Sequence, residues 1–105
     1  MTKAKAALVA RTTTVPYDVS EQLRSPEEMA AYLDAWLAEA PEDAAGIARA
    51  LGDIARAKGM TQVARDAGLS RESLYKALSD TGNPSFSTIV KVVHALGLRL
   101  HAQPA

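Results

Sequence analysis

The 105-residue chain contains no cysteine. That excludes disulfides, thiolate metal sites and a cysteine nucleophile, and it fits a reducing cytoplasm. Histidine is scarce, with His94 and His101 the only two. Gly97 and the strand expected beyond it break any helical face they could share, which argues against metal ligation. No Gly-rich phosphate loop and no Ser-His pair at a readable spacing occurs. The adjacent acids Glu27-Glu28 are accounted for by helix capping rather than by acid–base work. An enzyme reading therefore has no positive support, and no cofactor is implied. No apolar run approaches the ~20 residues of a membrane span. Lys3 to Ala10 carries too short an apolar stretch for a signal peptide. We expect a protein of the cytoplasm with no membrane partner.

Net charge is also missing, since 12 basic residues meet 12 acidic ones. The total argues against a nucleic-acid partner, but the arrangement of the charges points the other way. Met1 to Val15 carries Lys3, Lys5 and Arg11 with no acid, a balance of +3. Residues 16–45 carry eight acids against Arg24 alone, a balance of −7. Residues 46–105 carry eight basic and four acidic residues, a balance of +4. Charges segregated in this way suggest a basic surface for phosphate and an acidic one for something basic. The plainer alternative is that the acids merely solvate helices. The expected organisation is a flexible basic tail over 1–15, an acidic helical segment over 16–45 and a helical domain over 46–105. The two helical parts pack as one domain, which suits the length.

Leu8 to Val15 gathers Val and Thr and has the composition of a strand, which Pro16 ends. Tyr17 to Leu23 is a linker without a readable pattern. Ser25 to Ala40 is a helix: Ser25 is the N-cap, Pro26 suits the first position and Glu28 completes a capping box. Met29, Tyr32, Leu33, Trp36, Leu37 and Ala40 form its apolar stripe, while Glu28, Asp34 and Glu39 face away. Tyr32 and Trp36, one turn apart, either pack on the rest of the domain or form a partner-binding stripe. Pro41-Glu42-Asp43 opens a second helix with inner residues Ile47, Ala50, Leu51, Ile54 and Ala55, ended by Gly59. Gly46 and Gly52 each weaken that helix by ~1 kcal/mol relative to Ala. Arg49, Arg56 and Lys58 lie on its outer side as candidate phosphate contacts.

The chain is organised around Gly59 to Leu78, GMTQVARDAGLSRESLYKAL, which reads as two short helices joined by a tight turn. Val63, Ala64 and Ala67 face inward from the first helix, and Leu74, Ala77 and Leu78 from the second. In the turn Gly68 accepts a positive φ, Leu69 tucks under and Ser70 caps the next helix. This is a helix-turn-helix pattern, whose second helix lies in the DNA major groove. With Leu74 inward, Glu72 and Lys76 point outward, flanked by Ser73, Tyr75 and Ser79, and Arg71 is long enough to reach round. Arg and Lys can pair with guanine, and Glu can accept from cytosine. A solvated face of a plain helical hairpin is the alternative.

Beyond a turn-rich loop at residues 80–84, Ser85 or Ser87 caps a last helix. Phe86, Ile89, Val92, Val93 and Leu96 point inside, and Gly97 closes it. Leu98 to Ala102 alternates like an edge strand that needs a partner, either the N-terminal strand or its copy in a second subunit.

The motif resembles the lambda-repressor-like (Xre) regulators. Joined to Gly82-Asn83-Pro84-Ser85-Phe86-Ser87-Thr88-Ile89 and Ala95-Leu96-Gly97-Leu98, it resembles the HigA-like addiction module antidote proteins over Tyr17 to Leu100. One departure stands out. The wider repressor class often starts the first motif helix with Ser/Thr-Gln, whereas Gly59-Met60 stands here with Thr61 and Gln62 just after. The resemblance implies an all-α, lambda-repressor-like helix-turn-helix domain, to which the patterns above add an extra N-terminal helix and the candidate short C-terminal strand. It implies a dimer that binds double-stranded operator DNA, represses its own operon and neutralises a RelE/ParE-type toxin. The DNA-contacting set is then Thr61, Gln62, Ser70, Arg71, Glu72, Ser73, Tyr75 and Lys76, with Asn83, Ser85 and Ser87 as phosphate donors. The acidic Glu28, Asp34 and Glu39, with Tyr32 and Trp36 as apolar anchors, are the expected toxin contacts. The competing functions are a stand-alone prophage-type repressor without toxin and a protein–protein adaptor that uses the same fold without DNA.

Overall fold

The computed structural model describes residues 19–79 and 81–105. A short 3-10 turn at Val19–Gln22 leads into five helices: α1 (Pro26–Glu39), α2 (Ala44–Lys58), α3 (Met60–Ala67), α4 (Arg71–Ala77) and α5 (Phe86–Ala95). The described residues contain no strand. The basic tail of Met1 to Val15, with its expected strand, lies outside the described residues.

α1 begins as its sequence dictates. Ser25 Oγ accepts the Glu28 N–H at 3.1 Å, with Pro26 in the first turn, where no N–H is needed. It stops at Ala40, whose N–H reaches the Trp36 carbonyl at 2.9 Å before Pro41 breaks the helix. Met29, Tyr32, Leu33 and Trp36 are buried, whereas Leu37 at the edge of the stripe is 38% exposed. The preceding 3-10 turn, which shows no pattern in sequence, adds Val19 and Leu23 to the same core.

α2 is the central helix. Asp43 caps it by accepting the Gly46 N–H at 2.8 Å, and Gly59 at φ 118° ends it. Gly46, Ala48, Ala50, Leu51, Gly52, Asp53, Ile54 and Ala55 are all buried, which leaves only a narrow strip of this helix at the surface. The many small residues allow that enclosure, because they let neighbouring helices approach on several sides. Ile47, on the inner face, is partly buried against the core. A Cβ on Gly46 would meet the Trp36 ring and the Asp43 carboxylate, whereas one on Gly52 would find the Leu78 carbonyl oxygen at 3.5 Å.

α3 and α4 form the central pair of the sequence motif. Gly68 sits at φ 71°, ψ 29°, and its N–H returns to the Ala64 and Arg65 carbonyls, closing α3. Leu69 then packs against the core, with its N–H on the Ala64 carbonyl at 2.9 Å. Ser70 caps α4 by accepting the Ser73 N–H at 3.0 Å. Val63, Ala64, Ala67 and Leu74 are buried and bind the pair to the core.

α5 begins and ends at residues its sequence offers, but its first turn is not inside. Of the two candidate caps Ser85 is the one used, accepting the Thr88 N–H at 3.1 Å. Phe86 is 75% exposed rather than inside. Burial deepens along the helix from Phe86 through Ile89 to Val92, Val93 and Leu96, so the first turn projects past the core. At the other end Gly97 takes φ 74°, and the Leu98 N–H bonds the Val93 carbonyl at 3.1 Å. The strand expected over Leu98 to Ala102 is not formed. Leu98 is partly buried against the core but Leu100 is exposed like its neighbours, so the alternation is not realised, and no described strand lies beside the segment to satisfy its backbone. The tail runs instead beside α1, where Leu33, Asp34 and Leu37 share a groove with Leu98, Leu100 and His101.

Candidate functional site

Two surfaces with different chemistry leave the core. The first is built on α3 and α4. Burial of Leu74 fixes the rotation of α4, and Arg71, Glu72, Ser73, Tyr75 and Lys76 are all exposed as a result. Their freedom differs. The Ser70 hydroxyl accepts the Ser73 N–H and donates to Ser73 Oγ at 2.8 Å, so its proton is already used. Ser73 Oγ accepts that bond and keeps its own proton for an outside acceptor. Arg71 lies back along its helix, its Cζ 5.5 Å from the Tyr75 ring centroid and Nη2 3.4 Å from the Tyr75 hydroxyl.

Thr61 and Gln62 stand in the first turn of α3 and are exposed, with no side-chain cap at Gly59. The Gln62 amide donates to Asp66 at 2.8 Å along the same helix. Thr61, Gln62, Arg71 and Tyr75 line one shallow depression together with Arg56. Five candidates scattered through the sequence therefore reduce to one local surface. Asn83 and Ser87 are exposed on either side of the α5 cap. Ser85 is committed to that cap, where its hydroxyl also lies 3.1 Å from Thr88 Oγ1.

A second depression adjoins the first and shares Arg56, Met60 and Tyr75 with it, adding Arg49, Ser79 and Thr81. It runs between α2 and α4, and no carboxylate is among the described residues that line either depression. Behind it lies Asp53, a residue that the sequence pattern does not single out. Asp53 is 0% exposed, accepts the Tyr32 hydroxyl at 2.7 Å and pairs with Arg56. A signal for it is present all the same: an acid inside a run of Ala, Leu and Ile, three residues before an arginine, needs a buried partner.

The second surface is the outer face of α1. Asp34 and Glu39 are exposed there and Glu28 is half-buried. Tyr32 and Trp36 are 1% and 4% exposed, so they belong to the core and are not presented as anchors on this face. Arg49 covers the Trp36 ring, with Cζ 6.0 Å from its centroid. Leu37 is the large apolar side chain that α1 does expose. Among the described residues no helix is long and apolar enough to cross a membrane, and no group of three or more His, Asp or Glu gathers that could hold a metal ion.

A family model described as "Probable addiction module antidote protein" matches residues 13–104. An uncharacterized protein of Haemophilus influenzae is 55% identical over 87 residues, covering 83% of this chain and 88% of its own length. No solved structure matches the chain.

Proposed function

The chain belongs to the "probable addiction module antidote protein" family, and from that membership we propose an antitoxin that also binds operator DNA and represses its own operon. The antitoxin role follows the family, which implies a toxin partner. DNA binding by a lambda-repressor-like helix-turn-helix of the HigA-like, Xre type is our finer reading. It is carried by one observation: α4 is held by buried Leu74 so that Arg71, Glu72, Ser73 and Lys76 all lie exposed on a short helix that follows a tight glycine turn. This suits insertion in a major groove, where such side chains meet base edges. No catalytic role is assigned.

The partner is a RelE/ParE-type toxin, taken up on the acidic face of α1. A carboxylate-rich surface is a poor neighbour for DNA, so it is left for a cationic protein. Asp34 and Glu39 would speed encounter, and Leu37, rather than Tyr32 or Trp36, supplies exposed apolar area for affinity. The functional unit is a homodimer in the cytoplasm, because operators of this class are read in two half-sites. With no strand at Leu98 to Ala102, the first turns of α5 become the favoured contact: Phe86 and Val90, one turn apart, are 75% and 44% exposed.

Two measurements test this. Co-purification with the product of the neighbouring gene distinguishes an antitoxin from a stand-alone repressor. Titration of the DNA upstream of its own reading frame at several salt concentrations distinguishes a DNA binder from an adaptor, because phosphate contacts release counterions. Absence of any salt-dependent binding would leave α4 as a protein–protein surface.

A further inference from the structure

We propose that the groove between α2 and α4 seats a phosphate of the DNA backbone, with Arg56 as its main ligand and Asp53 and Tyr32 as the residues that position Arg56. The inference rests on the DNA-binding reading above. It extends that reading to α2 and α1, neither of which belongs to the motif.

Donors stand around an apolar floor of Met60 and Leu78 in this groove. Arg49 and Arg56 line its α2 side, Tyr75 and Ser79 its other side, and Arg71 and Thr61 extend it across the adjoining depression. The described lining holds no carboxylate, and guanidinium groups suit the geometry of a phosphate. The place is also right. If α4 lies in the major groove, the flank of that helix faces the sugar–phosphate strand rather than the base edges.

Arg56 is held in this groove from behind. Its Nη2 pairs with Asp53, while Nη1 lies 3.7 Å from where a Cβ on Gly52 would stand, in the groove lining. The side chain is 47% exposed, so the guanidinium is anchored on one edge and open on another. Asp53 is itself enclosed and takes the Tyr32 hydroxyl at 2.7 Å. A neutral oxygen would accept that hydroxyl just as well, and a buried carboxylate is costly without a cationic partner. What a carboxylate adds is a charged hold on Arg56, which limits the rotamers lost when a phosphate binds. Through Tyr32 the hold reaches back to the acidic helix α1.

The test uses the full-length protein and two labelled duplexes, the DNA upstream of its own reading frame and a scrambled sequence of equal length. Arg56→Ala should weaken both duplexes alike, by about tenfold, and lower the slope of log K against log salt by about one. Asp53→Asn, which keeps volume and an acceptor for Tyr32, should weaken both duplexes severalfold when Arg56 is present. In the Arg56→Ala background, where Asp53 has lost its guanidinium partner, it should change DNA affinity no further and should raise rather than lower the melting temperature. Tyr32→Phe should follow Asp53→Asn in smaller measure. A purely structural role would weaken DNA binding equally in both backgrounds, and that result overturns the positioning role. Wild-type binding left unchanged by Arg56→Ala, with its salt slope intact, overturns the phosphate seat and spares the DNA reading. A wild-type protein that binds neither duplex at about 50 mM salt sinks the DNA reading and this inference together.

Discussion

The two glycines inside α2 should respond in opposite ways to the same substitution. Each, replaced by alanine, gains about 1 kcal/mol of helix propensity. At Gly52 little opposes the gain: the new Cβ would meet Leu78 and the Arg56 guanidinium at 3.5 to 3.7 Å, which is ordinary contact. At Gly46 the Cβ would fall against the Trp36 ring and the Asp43 carboxylate. Trp36 is 4% exposed and has little room to retreat, and Asp43 holds the Gly46 N–H as the helix cap. Overpacking costs about 1–3 kcal/mol and a lost cap about 1 kcal/mol. The net expectation is a loss of about 1–3 kcal/mol for Gly46→Ala and a gain of up to about 1 kcal/mol for Gly52→Ala. In urea these are shifts of roughly 1 M down and about half that up, read at one fixed protein concentration because dimerisation would otherwise contribute. Trp36 is the only tryptophan, so its emission reports the clash directly. Gly46→Ala should change that emission in the native state and Gly52→Ala should not. A Gly46→Ala protein with wild-type midpoint and emission would refute the packing described at the α1–α2 contact.

Lys76→Ala should cost about 1–3 kcal/mol of operator affinity and relax preference at one base pair; equal loss on scrambled DNA would make it a phosphate contact. Asp34→Asn with Glu39→Gln should slow toxin association and flatten its salt dependence while the dissociation rate barely moves, and unchanged association kinetics would reject the acidic face. Phe86→Ser should weaken the dimer by about tenfold or more without unfolding the monomer, judged by light scattering over a dilution series. A full dimer at every concentration would move the interface away from α5.

Much of the fold is legible in the sequence because it depends on local chemistry. Ser25, Asp43, Gly59, Gly68, Ser70 and Gly97 mark helix ends through capping bonds and positive φ values that residue type alone announces. The inward stripes of α1, α3 and α4 follow from spacing in the same way. What escapes depends on neighbours distant in sequence. Asp53 looks like any acid on a helix until Tyr32, 21 residues earlier, is placed on its oxygen at 2.7 Å. Phe86 fits the apolar period of α5, but periodicity does not tell how far the core extends along a helix. Leu98 to Ala102 alternates as strands do, yet a strand is defined by a partner, and none is present among the described residues. Spacing leaves Tyr32 and Trp36 open between core and anchor, and only the closure of α1 over Gly46 and Asp53 places them inside.

The enclosure of α2 bears on how such a chain can be rebuilt. One side of this helix receives Tyr32 and Trp36 from α1, and another receives the end of α4 at Leu78 across Gly52. A chimera whose grafted α1 lacked Tyr32 and Trp36 would leave Asp53 without its hydroxyl partner and Gly46 without the ring that covers it, so such a graft must carry α2 with it. What the outward faces of α1 and α4 have in common is the hidden helix between them. Either can therefore drift toward a new partner by single surface substitutions, while wholesale exchange of helices is closed.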